Sequence, residues 1–186
     1  MKLNDALVTS FSIGDNEYDI DLSFNKILDV FEIMKEEELN TVEKAYLIVQ
    51  LLTGEELEDM DEVVECWIYI KEHFLDIQKE MVQYDLLGNP VPQAIAEDEE
   101  EQERVIDLEQ DAEYIYASFL QAYGINLFKA QNRLSWVEFK ALLTALPDNT
   151  IMQQIVQIRA WKPSDGGDKK KMRKLQTKYR LGEEGE

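Results

Sequence analysis

The stretch AEYIYASFLQAYGINL, residues 112–127, places aromatic and aliphatic residues at the spacing of one helix face and ends in a glycine. Recurrence at i, i+3, i+4 and i+7 predicts an amphipathic α-helix, and Gly124 stands where a helix ends in the left-handed conformation. We therefore predict one buried face, made of Leu108, Ala112, Ile115, Tyr116, Phe119, Leu120 and Tyr123. Tyr114 lies off this stripe, so we predict that it is free to contact a partner.

Toward the N terminus, a β-hairpin is followed by helices. LVTSFSI (7–13) and EYDIDL (17–22) flank the turn signal GDN. Ser23 and Thr41 are the predicted N-caps of the first two helices, with Gly54 just past the end of the second. A third pattern runs from about Asp61 to Tyr84. Val42 and Ile68 are among the apolar residues predicted to point inward.

Toward the C terminus, SWVE (135–138) and TIMQ (150–153) both predict capping boxes at helix starts. The terminal KKKMRKLQTKYRL carries seven Lys or Arg residues between Lys169 and Arg180. Between residues 97 and 113 there are ten acidic residues and one basic residue, so we predict a solvated acidic linker with helix resuming near Asp107.

These patterns predict a mainly α fold: a single helical domain of about six or seven helices with a small N-terminal β-hairpin. The predicted segments are the hairpin plus helices at 1–96, the acidic linker at 97–106, the C-terminal helical part of the same domain at 107–162, and a basic C-terminal helix or tail at 163–186.

Charge and composition exclude several classes of protein. The chain has 186 residues, 45% of them hydrophobic, and a formal net charge of −20. A surface this acidic repels phosphate groups, so we expect no nucleic-acid partner and no anionic membrane partner. The sequence also shows no signal-peptide pattern and no apolar run near the ~20 residues that span a bilayer, which predicts a cytosolic protein.

Catalytic and metal-binding patterns are weak. The single histidine, His73, and the single cysteine, Cys66, both fall in helical patterns, where structural roles are expected. Glu58 and Glu62 lie one helical turn apart and would suit a carboxylate-based, metal-dependent hydrolase, but carboxylates are so common in this chain that the pair indicates little. We therefore predict no enzyme activity, no cofactor and no metal.

The basic C-terminal residues are the other candidate partner site: Lys169, Lys170, Lys171, Arg173 and Lys174. They can pair with the chain's own acidic linker or with an acidic surface of a neighbouring copy, which we favour. Nucleic-acid binding and a plain solvated helix are the alternatives.

YIYASFLQAYGINL and LSWVEFKALLTALPDNTIMQQIVQIRAWK together resemble the C-terminal half of a family encoded in the tail gene clusters of long-tailed phages and prophages of Gram-positive bacteria, the phage protein-fifteen family. EYDIDLSFNKILDVFEIM is similar to the family's hairpin-to-helix opening, and the Glu-rich linker is the least family-like segment.

The resemblance implies a tail assembly chaperone that binds the tape measure protein and helps recruit tail tube protein. It also implies that the protein is absent from the mature virion. We expect a homo-oligomer in the cytoplasm of the bacterial host. The alternative is a structural tail or head–tail connector protein, and the hydrolase is a weaker one.

Overall fold

The computed structural model describes residues 6–75 and 105–182, and the fold is mainly helical with one antiparallel hairpin. The hairpin strands are β1 (Ser10–Ile13) and β2 (Asn16–Asp19). The first helices are α1 (Phe24–Lys35), α2 (Thr41–Thr53) and α3 (Met60–Ile70), which continues as a π-helical turn, Lys71–Leu75. The later helices are α4 (Ala112–Tyr123), α5 (Leu127–Ala130), α6 (Trp136–Thr144), α7 (Ile151–Ala160) and α8 (Lys169–Lys178).

The prediction of a mainly helical protein with a small N-terminal hairpin is confirmed. The described part of the chain has eight α-helices, against the six or seven predicted. One of them, α5, is only four residues long, too short to show a helical pattern in the sequence. None of the helices in these residues is both long and apolar enough to cross a membrane.

The described residues form two compact units. The first unit contains residues 6–75 and 130–139, and the second contains residues 105–129 and 140–182. The chain thus passes from the first unit to the second within α6. The predicted acidic linker lies at 97–106, mostly outside the described residues, and the predicted segment boundaries remain predictions.

The hairpin is built on a tight turn and an aromatic cross-strand pair. Gly14 adopts φ 58° between β1 and β2, a conformation that glycine adopts readily and a side chain disfavours. Phe11 and Tyr18 are register partners, stack at 5.2 Å between ring centroids, and are both buried. Phe11 also stacks on Tyr69 of α3 at 5.1 Å, which fixes the hairpin on the helices of the first unit.

The core of the first unit uses one stripe from each of its long helices. The buried residues are Phe24, Ile27 and Val30 of α1, then Ala45, Ile48, Val49 and Leu52 of α2, then Val63, Cys66 and Ile70 of α3. Val42 and Ile68 are not among them. They are 47% and 49% exposed, so the prediction that they point inward is wrong; the core faces of α2 and α3 are narrower than their apolar sequence patterns.

The start of α6 completes the first unit. Phe139 stacks on Phe24 at 5.0 Å, and the Trp136 N–H donates to the Leu22 carbonyl at 2.8 Å. The predicted capping box at Ser135 is confirmed: Glu138 Oε2 accepts from the Ser135 N–H at 3.0 Å, and Ser135 Oγ accepts from the Glu138 N–H at 3.3 Å.

Three predicted caps differ from the structure. Ser23 occupies the N-cap position of α1 but makes no side-chain capping bond, and the Phe24 N–H donates to the Leu134 carbonyl at 3.0 Å. α2 is capped by Asn40 rather than Thr41, in a capping box with Glu43. The Thr150 hydroxyl donates to the Pro147 carbonyl and makes no capping bond.

The buried face of α4 is rotated relative to the predicted one. Ile115 and Phe119 are buried as predicted, but Leu120 is 45% exposed and Ser118 is fully buried. Ser118 Oγ accepts from the Met152 N–H at 3.1 Å, which draws this side of α4 toward α7. Helix also resumes at Ala112 rather than near Asp107, whose carboxylate accepts from the Glu109 and Gln110 N–H groups in a turn.

A buried tyrosine links the hairpin to α3. The Tyr18 hydroxyl donates a hydrogen bond to Glu62 Oε1, which also accepts from Asn16 Nδ2 at 3.2 Å. The hydrogen bond to Glu62, together with burial, raises the pKa of Tyr18 to about 12. A tyrosine whose folded-state pKa exceeds its unfolded value of 10 stabilises the fold below that pH, and the contribution is lost as pH rises toward 12.

Tyr18→Phe should therefore destabilise the protein by about 1.5–3 kcal/mol at neutral pH, the range for a hydrogen bond to a charged acceptor. Between pH 10 and 12 the wild type should lose stability more steeply than the variant, so their difference should shrink. Urea unfolding across this pH range measures both effects. Tyr46→Phe, at a half-buried tyrosine of α2, is the matched control, and parallel pH curves for the wild type and Tyr18→Phe would contradict the assignment.

Candidate partner-binding surfaces

The predicted basic site lies on α8, and a buried arginine holds that helix in the second unit. Arg159 of α7 makes a bidentate pair with Asp111, with Nη1 at 2.6 Å from Oδ2 and Nη2 at 2.8 Å from Oδ1. Its Nε donates to the Tyr179 carbonyl at 2.6 Å, and Nη1 donates to the Val105 carbonyl at 2.9 Å. One guanidinium therefore joins α7, the turn before α4, and the end of α8.

Both partners of this ion pair are removed from water. The Arg159 side chain is 9% exposed and that of Asp111 is 1% exposed. A buried charge of this kind is tolerated only when it is paired and its remaining hydrogen-bonding groups are satisfied. The two backbone carbonyls meet this requirement for Arg159.

Further contacts fasten α8 along its length. Gln176 Nε2 donates to the Trp161 carbonyl at 2.8 Å, and the Gly182 N–H donates to Gln110 Oε1 at 2.8 Å. Met172 and Leu175 are half-buried on the same side of α8. This helix is therefore an anchored element, with one side packed and the other facing outward.

The outward side of α8 forms a continuous positive surface, here called the basic face. It consists of Lys169, Lys170, Lys171, Arg173, Lys174 and Lys178, all of them exposed. The Asp168 carboxylate caps the helix start by accepting from the Lys170 and Lys171 N–H groups at 3.0 and 3.1 Å. The structure thus brings all five predicted basic residues together on one helix; whether they bind a partner remains a prediction.

Tyr114, the other predicted contact residue, is half-buried and has an internal neighbour. Its ring packs edge-on against Tyr179, with centroids 6.1 Å apart and planes at 77°. Tyr114 therefore supports the end of α8. Its role in partner binding also remains a prediction.

Most of the residues considered for catalysis lie in structural contacts. Glu62 is engaged by Tyr18 and Asn16, while Glu58 is exposed. His73 stacks on Tyr69 at 4.1 Å, and burial raises the pKa of the Cys66 thiol, which lies in the core of the first unit. Within residues 6–75 and 105–182, no three His, Cys, Asp or Glu side chains come together as a metal site would need.

Charge is divided unequally between the two units. The described residues of the first unit include 19 Asp or Glu against five Lys or Arg, a net charge of −14. Those of the second include seven Asp or Glu against 11 Lys or Arg, a net charge of +4. Although the whole chain is acidic, the described residues of the second unit therefore carry a net positive charge.

A second surface, which the sequence reasoning missed, lies on the first unit. Here Leu39, Val42, Glu43, Tyr46, Leu47 and Met60 line a groove of about 320 Å³, called the α2 groove below. The sequence of α2, TVEKAYLIVQLLT, does indicate this groove. Its apolar residues cover more of the helix circumference than a single stripe facing the core requires.

A protein-family model described as "Bacteriophage Gp15 protein" matches residues 3–181, nearly the whole chain. The chain belongs to the bacteriophage Gp15 protein family. The resemblance carried by the α4 and α6–α7 sequences is thereby confirmed, and the molecule is a phage protein. No curated protein and no solved structure matches the chain.

The family match covers both units and both surfaces of this Gp15 protein. The basic face and the α2 groove lie at 169–178 and 39–60, inside the matched range. Both surfaces therefore belong to the family domain itself and not to an added segment.

Arg159→Met should destabilise this Gp15 protein by about 3–5 kcal/mol, because Asp111 would remain buried without its counterion. The end of α8 would also lose its link through the Tyr179 carbonyl, so the amides of α8 should exchange with solvent faster. Urea unfolding and hydrogen exchange measure the two effects. Arg173→Met, on the exposed basic face, is the control and should change stability by less than about 0.5 kcal/mol. Equal effects of the two substitutions would contradict the proposed anchoring.

Proposed function

We propose that this Gp15-family protein is a non-enzymatic tail assembly chaperone that binds the tape measure protein and helps recruit tail tube protein. The observation that carries the proposal is a strongly acidic unit that nevertheless exposes large apolar side chains, including Val42 and Met60 at 47% and 44%. Exposed apolar groups can hold a partner's apolar helix. The surrounding negative charge keeps the loaded complex soluble.

Family membership supports the phage setting of this proposal, and the fold supports a binding role. Glu62 is engaged by Tyr18, Cys66 is buried in the core of the first unit, and His73 stacks on Tyr69. We accordingly place the protein in the host cytoplasm during assembly and outside the mature virion.

Self-association is part of the proposal. The basic face of α8 and the first unit, with its net charge of −14, are complementary between two copies. Contacts of one surface with a different surface of the next copy close into rings or continue as open arrays. Each exposed ion pair contributes only about 0–1 kcal/mol, so an assembly of this kind forms and dissociates readily.

A structural tail or head–tail connector protein is the second candidate, since complementary charged surfaces would also suit a permanent ring. The two candidates differ in the fate of the protein. Mass spectrometry of purified virions should find no copies of a chaperone and a fixed number of copies of a connector.

Co-expression with the tape measure protein of the same phage should raise the soluble fraction of that protein and yield a co-purifying complex. The reason is that the chaperone covers the exposed apolar helices of the tape measure protein before that protein aggregates. The control is Val49→Asp, which places a charge at a core position only 1% exposed and should abolish the effect by unfolding the first unit. An unchanged soluble fraction together with no co-purification would refute the chaperone proposal.

Reversing charge on the basic face should weaken self-association. For Lys170→Glu with Lys174→Glu, light scattering at physiological salt should show a shift toward monomer, because attraction to the acidic unit becomes repulsion. The matched control is Lys129→Glu with Lys162→Glu, which makes the same change in net charge at exposed lysines outside α8. If both double variants assemble like the wild type, the basic face is not the contact.

A further inference from the structure

The α2 groove is lined by side chains that the core of the first unit does not use. Ala45, Ile48, Val49 and Leu52 are the residues through which α2 meets the core. Val42, Leu47 and Met60 lie outside that stripe and are 47%, 36% and 44% exposed. Isolated exposed apolar residues are ordinary, but here three of them line one concavity.

The groove has an ordered frame. Val42 and Tyr46 lie one helical turn apart, as do Glu43 and Leu47, so α2 presents two adjacent rows to the groove. Met60 contributes to the lining from the first position of α3, a helix that packs against α2. The capping box fixes one end, where the Glu43 carboxylate accepts from the Asn40 N–H at 2.8 Å.

The rim of the groove is acidic. Glu36, Glu37 and Glu38 are exposed immediately before Leu39, and Asp59 and Asp61 are exposed on either side of Met60. The nearest lysine of α2, Lys44, directs its Nζ to the Met34 carbonyl at 2.8 Å. An apolar floor inside an acidic rim fits a ligand with the inverse arrangement: apolar side chains flanked by positive charge.

We propose that the α2 groove binds an amphipathic helix of the tape measure protein, with apolar anchors spaced at i, i+3 or i+4, and i+7 and with Lys or Arg flanking them. This inference rests on the proposed function and assigns the surface that performs it. The apolar anchors enter between the α2 rows and Met60, and the flanking cations face the rim carboxylates.

The basic helix of a second copy does not fit the groove. The apolar residues of α8, Met172 and Leu175, are half-buried on its packed side, while its outward side carries lysine and arginine. The basic face can therefore meet acidic surface but offers no apolar anchors. The partner for the groove has to present both chemistries on one side of a helix.

The test compares the triple variant Val42→Ser, Leu47→Ser, Met60→Ser with the wild type in binding to purified tape measure protein. The affinity should fall by at least about tenfold, as expected when central apolar contacts are truncated. Ile68→Ser is the matched control, since Ile68 is 49% exposed on α3 but does not line the groove. It should bind like the wild type. Circular dichroism and thermal melting check that each variant is folded.

A photoreactive amino acid at Leu47 provides a second readout that keeps the other groove residues native. It should cross-link to a helical segment of the tape measure protein that contains Lys or Arg, whereas the same group at Ile68 should not. This measurement decides the question if the triple variant proves unfolded.

Three outcomes would overturn the inference. If the wild type and the triple variant bind the tape measure protein equally, the groove is not the site, although the chaperone function stands. If the wild type does not bind that protein at all, both the inference and the proposed function fail. If Leu47 cross-links instead to a second copy of this chain, the groove is a contact between copies.

Discussion

The second unit depends on the buried ion pair between Arg159 and Asp111. Its guanidinium joins a carboxylate and the carbonyls of Val105 and Tyr179, so three separate segments meet at one side chain. Such a pair adds little net stability, because burying two charges offsets most of their attraction. It makes competing arrangements costly instead, since moving any of the three segments would leave a buried charge or carbonyl unsatisfied. The position of the basic face follows from this requirement.

The elements of the fold could be predicted from the sequence, while the orientation of several faces could not. Apolar spacing and glycine stops predicted the helices, including Gly124 at the end of α4, whose φ is 68°. The predicted face of α4 included Leu120 and omitted Ser118, and the pattern also gave no sign that Asp111, next to the start of α4, is buried. Its burial depends on Arg159, 48 residues away, and no local pattern contains that partner. The wrong N-cap of α2, Thr41, could have been avoided from the sequence. Glu43, three residues after Asn40, completes a capping box that indicates Asn40 as the cap.

The two candidate surfaces also differed in how far the sequence could predict them. The basic residues of α8 could be identified from the sequence, since charge clusters are visible without a fold and their helical spacing gives a common face. The α2 groove was hidden because its apolar residues fitted the pattern of core residues. Val42 could be separated from Ala45 and Val49 only when the packing of α2 against α3 showed how narrow the core face is. Excess apolar circumference on a helix is therefore a signal for a partner surface.

The two surfaces also differ in physical type, and this difference suits an assembly factor. Attraction through the basic face is electrostatic, and at physiological salt the ions in solution screen it over about 8 Å. Such contacts form and dissociate rapidly. Burial of apolar side chains in the α2 groove is short-ranged and contributes roughly 25 cal/mol per Å² of area removed from water. The two surfaces lie on separate units, with net charges of −14 and +4. Under the proposed function, the basic face would mediate weak contacts between copies and the α2 groove would hold the apolar partner.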